Sequence, residues 1–199
     1  MSRKHKLPKV LSRADAIRVV TFPNTRSFTG LRNRVALQLM YRCGLRVSEV
    51  CNLLHQDVHL DEGYLFIVGK GSKERMVPLD PDTAAICQKW NERRLEGVRW
   101  FLHTTKGTQV SDRYFRALLA RISRETGIYV SDGRRKKPVH PHVLRHCFCT
   151  ERLEDGFSII EVQHMAGHSS VATTQIYTHV RPEHLRLKMQ GLGPLSVPV

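Results

Sequence analysis

His142-Val143-Leu144-Arg145-His146, followed by Ala166-Gly167-His168 and then Ile176-Tyr177, is the stretch that decides how this chain is read. It gathers a guanidinium, several imidazoles and a phenol within a short length. Charged side chains are almost never buried unless paired, so this is a poor recipe for a hydrophobic core. It is a good one for holding a phosphodiester while a phenol attacks it. Pro141 opens a helix that puts His142 and Arg145 on one face, and Gly156 ends it. Ser158-Ile159-Ile160-Glu161 has the form of a capping box at the start of the next helix. Gly167 closes that helix, and Ser169 or Ser170 can cap a further one carrying Tyr177. Pro182 closes this segment, and a short helix from Glu183 to Met189 leads into the tail.

Two upstream segments supply what this stretch lacks. In Gly44-Leu45-Arg46-Val47-Ser48-Glu49, Arg46 and Glu49 are three apart and share a helical face. Taken alone, the pair reads as a surface ion pair, which contributes little. Tyr64-Leu65-Phe66-Ile67-Val68 is a strand, and Met76-Val77-Pro78-Leu79 a second, shorter one. Gly69-Lys70-Gly71-Ser72-Lys73-Glu74-Arg75 between them reads as a hairpin turn from which Lys70 projects a mobile ammonium. The Gly-x-x-x-x-Gly-Lys-Ser/Thr pattern of a phosphate loop is absent.

The remaining elements are helical. Ser12 caps a helix reaching about Val20. Leu31, Val35 and Leu39, with Ala36, Met40 and Cys43, follow helical spacing up to Gly44. Residues 80–97 read as a helix, Trp100-Phe101-Leu102 as a short buried strand, and Phe115, Leu118, Leu119 and Ile122 mark another amphipathic helix. Residues 131–141, with Arg134, Arg135, Lys136 and Lys137, read as an exposed basic loop suited to meeting phosphates. The expected fold is mainly α with a small antiparallel β-sheet.

The chain of 199 residues carries 32 Lys and Arg against 18 Asp and Glu, a net charge of +14. That excess points to an extended polyanion as partner, most simply nucleic acid. Five cysteines without a Cys-x-x-Cys pair or a signal peptide indicate a reducing compartment, and the cytoplasm is expected. No apolar run approaches the roughly 20 residues of a membrane span.

Metal-free cleavage of a phosphodiester needs cations on the non-bridging oxygens, an in-line nucleophile and an acid for the departing oxygen. Arginine suits the first task because its fork matches two phosphate oxygens and stays charged. A tyrosine surrounded by cations becomes a usable nucleophile. Lys70 on its hairpin is placed to supply the proton.

Gly-Leu-Arg-Val-Ser-Glu, Gly-Lys-Gly-Ser-Lys-Glu-Arg, His-Pro-His-Val-Leu-Arg-His and Ala-Gly-His-Ser-Ser…Ile-Tyr, in this order over about residues 28–180, resemble the tyrosine recombinases, the phage-integrase and Xer-type family. The resemblance implies site-specific recombination through a 3′-phosphotyrosyl intermediate, with no cofactor, metal or ATP. Arg46 and Arg145 would clamp the scissile phosphate, helped by His142 and His168. Lys70 would be the general acid and Tyr177 the nucleophile, while Glu49 supports Arg46 and His146 packs behind the site. Lys73, Arg75, Arg134, Arg135, Lys136 and Lys137 are the expected contacts to double-stranded DNA. The family's plan further implies four protomers on two duplexes, with the isolated protein a monomer.

In outline, residues 1–10 are a basic lead-in, 11–182 the catalytic domain, and 183–199 a C-terminal helix and tail of the kind the family exchanges between protomers. The N-terminal core-binding domain of most members is not expected here. Two other classes compete with this reading. A zinc site could use His142, His146, His164, His168, Cys147 and Cys149, but His-Val-Leu-Arg-His lacks the metalloprotease glutamate and Arg145 would repel a cation. A catalytically silent DNA-binding regulatory module of the same fold is the remaining alternative.

Overall fold

A computed structural model describes residues 11–69, 74–131, 135–167 and 182–195. Its organising element is α2 (Phe28–Arg42), capped at Ser27 and buried almost all round. It packs against α1 (Arg13–Thr21), α4 (Pro81–Asn91) and α6 (Pro141–Glu154). A helix buried on every side must satisfy its polar residues internally. Gln38 donates to the Thr83 hydroxyl at 3.2 Å, Arg42 to Asp80 at 3.1 Å, and the Tyr41 hydroxyl donates to Glu151 at 2.7 Å. Leu31, Val35, Leu39 and Met40 fill the core around them.

Helix α2 ends where Gly44 takes a left-handed φ of +65°, and the chain turns into the short α3 (Val47–Asn52). Strands β1 (Val58–His59), β2 (Tyr64–Val68) and β3 (Glu74–Pro78) form one antiparallel sheet in that order, paired as far as Val68 opposite Glu74. α5 (Asp112–Thr126) lies over α1 and α3. β4 (Tyr129–Ser131) and β5 (Lys136–Pro138) make a second, two-stranded ribbon. α7 (Ile159–Ala166) and α8 (Pro182–Gln190) close the fold. Leu185 and Met189 of α8 join Phe148, Phe157, Val162 and Met165 in a smaller apolar cluster. Lys188 then pairs with Glu161 at 3.0 Å. Beyond α8, the Gly193 carbonyl accepts from Arg42 at 3.1 Å.

The mainly helical reading with a small antiparallel sheet holds, and four local expectations change. Where residues 131–141 were expected as a simple loop, residues 129–131 and 136–138 pair as a β-ribbon, with Tyr129-Val130 opposite Lys137-Pro138 and Val139 buried behind. Trp100-Phe101-Leu102 forms no strand beyond a single bridge from Trp100 to Leu54, since the chain bends at Phe101 and Leu102. α4 stops at Asn91, short of residue 97. There the Arg93 and Arg94 N–H groups both fall back on the Trp90 carbonyl. The fourth is Arg75, expected on the turn, which lies inside β3. No described helix is long and apolar enough to cross a membrane.

Candidate active site

The site assembles where the N-terminus of α3, strand β3, helix α6 and the C-terminus of α7 meet. Arg46 is the N-cap residue of α3, and Glu49 sits one turn in. The Glu49 carboxylate reaches back to accept the Arg46 N–H at 2.8 Å, half of a capping box. Its other oxygen accepts Nη1 of Arg46 at 2.7 Å. Glu49 is only 7% exposed, so the pair is no surface ion pair.

The second partner of Glu49 is Arg75, whose Nη1 and Nη2 donate to the two carboxylate oxygens at 3.0 and 2.8 Å. This two-pronged pairing is the strongest geometry available to a guanidinium. Burial pushes the Glu49 carboxyl up, but the hydrogen bonds from Arg75 and Arg46 outweigh it and hold the group below its ordinary value. Arg75 is 8% exposed, with its donors turned inward, so the expectation that it contacts DNA is corrected.

Arg145 projects from α6 into the same region and is 7% exposed. One amino group donates to the Gly44 carbonyl, the other to that of Ala166. Burial, reinforced by repulsion from Arg46, lowers its pKa to about 10, which leaves it charged at neutral pH. Three consecutive carbonyls at the end of α7 therefore each receive a different arginine. Met165 accepts Nε of Arg75 at 2.8 Å, Ala166 accepts Arg145, and Gly167 accepts Nη2 of Arg46 at 2.5 Å. Carbonyls at a helix C-terminus lack intrahelical donors and carry partial negative charge, which is why guanidinium groups collect there.

Among the described residues, three guanidinium charges thus converge on one carboxylate, and two remain uncompensated. Arg145 and Arg75 are enclosed, whereas the Arg46 side chain is 32% exposed and open to an incoming anion. His142 sits one turn before Arg145 on α6, exposed, with its ring 6.2 Å from that of His140. His146 is also exposed, so it does not pack behind the site as expected. Arg135, Lys136 and Lys137 lie exposed on and beside β5. Lys70, Lys73, Arg134, His168 and Tyr177 lie outside the described residues; β2 and β3 lead to the first two, and Gly167 directly precedes His168. No three described His, Cys, Asp or Glu side chains converge as a metal site requires.

Sequence reasoning missed Arg75 as the partner of Glu49. The available signal was alternation: Arg75 lies two residues from Val77, on the buried face of β3.

Residues 9–184 match the phage integrase family. The chain is 39% identical to the tyrosine recombinase XerC of Xanthomonas axonopodis pv. citri over 183 residues, which cover 90% of this chain and 57% of that protein. It is 35% identical to the tyrosine recombinase XerD of Listeria monocytogenes over 189 residues, covering 92% and 61%. It therefore spans less than two thirds of the length of either relative. The solved XerH site-specific recombinase bound to palindromic difH substrate, a post-cleavage complex, superposes with a TM-score of 0.69 at 27% identity, covering 93% of this chain and 53% of that one. With its motifs on a matching fold, the chain belongs to the phage integrase family of tyrosine recombinases.

Proposed function

We propose that this chain is a site-specific DNA recombinase whose residues 11–182 form the catalytic domain. The observation that carries the reading is the excess of positive charge at Arg46, Arg75 and Arg145 over the single carboxylate of Glu49. A buried, uncompensated cationic centre is costly unless an anion completes it, and a phosphodiester does so with matching geometry. XerH, a structural relative, is seen with its cognate DNA after cleavage, which supports the same substrate class here.

In the proposed reaction Arg46 and Arg145 hold the non-bridging oxygens, with His142 and His168 alongside. The Tyr177 oxygen attacks phosphorus in line, its proton passing to solvent, and the bond to the 5′-oxygen breaks. Lys70 protonates that oxygen as it leaves. The 3′-phosphotyrosyl bond conserves the energy of the phosphodiester. A 5′-hydroxyl from a partner strand then attacks it and releases the tyrosine, so rejoining consumes no ATP. Basic residues on and beside β5 follow the DNA backbone at the side of the site. Four protomers on two duplexes carry out the exchange, with residues 183–199 leaving the Phe148–Phe157 cluster of their own chain to pass between neighbours, and the protein acts in the cytoplasm.

The test is a nicked suicide duplex with chelator present, comparing wild type with Tyr177→Phe on denaturing gels. A protease-sensitive shifted band that vanishes in Tyr177→Phe is expected. Duplex binding without any such band would point instead to a silent regulatory module.

A further inference from the structure

Arg75 is the only one of the three converging arginines that the reaction above leaves without a task. Its donors are spent inside the protein, two on Glu49 and one on the Met165 carbonyl. The backbone makes room for it. A Cβ on Gly167 would lie 2.7 Å from Nη1 and 2.8 Å from Cζ of Arg75, and Gly167 also holds a φ of +64°. Only glycine meets both conditions without strain. Arg75 thereby ties together the strand leaving the Lys70 hairpin, the turn carrying Arg46 and Glu49, and the helix end that runs into His168.

We infer that Arg75 is a positioning residue for DNA cleavage: it holds the Glu49 carboxylate so that Arg46 is presented to the scissile phosphate, and it fixes the β2–β3 hairpin to the end of α7. The inference rests on the recombinase reading and adds a residue to it. Without Arg75, the Glu49 carboxylate keeps Arg46 as its main partner and remains enclosed. With its strongest cationic partner gone it takes up a proton more readily, and the neutral carboxyl no longer holds Arg46 at the phosphate. The groups facing Glu49 are Arg46 from α3, Arg75 from β3 and Arg145 from α6. His164 of α7 lies beside Arg75, and Asp57 and Arg99 line the groove on the other side of Glu49.

The experiment uses the full chain as wild type, Arg75→Met, Arg75→Lys and the double variant Arg75→Met/Glu49→Gln. Covalent-complex formation on the nicked duplex is followed from pH 5 to 8, beside the salt dependence of duplex binding. Arg75→Met is expected to cleave about 100-fold more slowly, the scale of a misplaced catalytic group. Its deficit should deepen as pH falls, and that acid limb should vanish in the double variant. Arg75→Lys keeps the charge without the fork and should recover part of the rate. The salt slope of binding should stay unchanged.

An unchanged rate and profile in Arg75→Met would overturn the inference. So would a salt slope reduced by about 1, the mark of a lost phosphate contact. If Arg75→Met does not fold, Arg75→Lys must show the same acid limb in milder form, and a wild-type profile there would refute the role. Failure of wild type to form any covalent complex would instead sink the recombinase reading. The carboxyl-13C titration of Glu49 still decides the positioning claim in that case. Its midpoint should lie below the ordinary 4.5 in wild type and higher in Arg75→Met, and equal midpoints would overturn it.

Discussion

Replacing Gly44 by alanine tests the link between the core and the site. Gly44 ends α2 in the left-handed region, and a Cβ there would stand less than 3.0 Å from three ring atoms of Phe148. The left-handed backbone costs a non-glycine residue about 1 kcal/mol. Forcing a methyl group against a packed ring adds about 1–3 kcal/mol. The sum, about 2–4 kcal/mol, corresponds to a fall in Tm of about 5–15 °C for a domain of this size. Because the Gly44 carbonyl accepts Arg145, any shift of this turn also moves the arginine. Urea unfolding should show the destabilisation, and the suicide-duplex assay should show slower cleavage even at temperatures where Gly44→Ala is folded. Adding Phe148→Leu should relieve the steric part but not the backbone part, so the double variant should be less destabilised than the two single effects combined. A loss below about 0.5 kcal/mol, ordinary for an inert surface site, would refute this packing.

Three further outcomes follow from the same geometry. Glu49→Gln leaves Arg75 buried beside a neutral group and should cost about 3–5 kcal/mol by thermal or urea unfolding. Since the folded Glu49 carboxyl lies below its unfolded value of 4.5, its stabilisation is present above that value and is lost as pH falls through the folded pKa. Wild type should therefore lose stability below about pH 4.5, and Glu49→Gln should lose less over the same acid range. Replacing exposed Lys136 by alanine should leave stability unchanged and lower the salt slope of duplex binding by about 1.

What was legible in the sequence was local. Tyr64–Val68 forms the strand expected from its richness in β-branched and aromatic residues, and Ser12 and Ser158 cap the helices expected after them. The Arg46–Glu49 spacing was visible too, because both residues lie within one helical turn. Its burial was not, since that depends on Arg75, 26 residues away, and on α7 carbonyls more than 100 residues beyond. A buried ion pair is specified by the tertiary arrangement, and local propensity carries no trace of it. The ribbon at 129–138 escaped notice for a related reason. Each of its strands has three residues, too few for alternation to show.

The most direct measurement is mass-spectrometric mapping of the covalent adduct formed with a nicked duplex. The expected product is the peptide containing Tyr177, carrying the oligonucleotide through its 3′-phosphate. Attachment at a serine, or through a 5′-phosphate, would contradict the assigned chemistry.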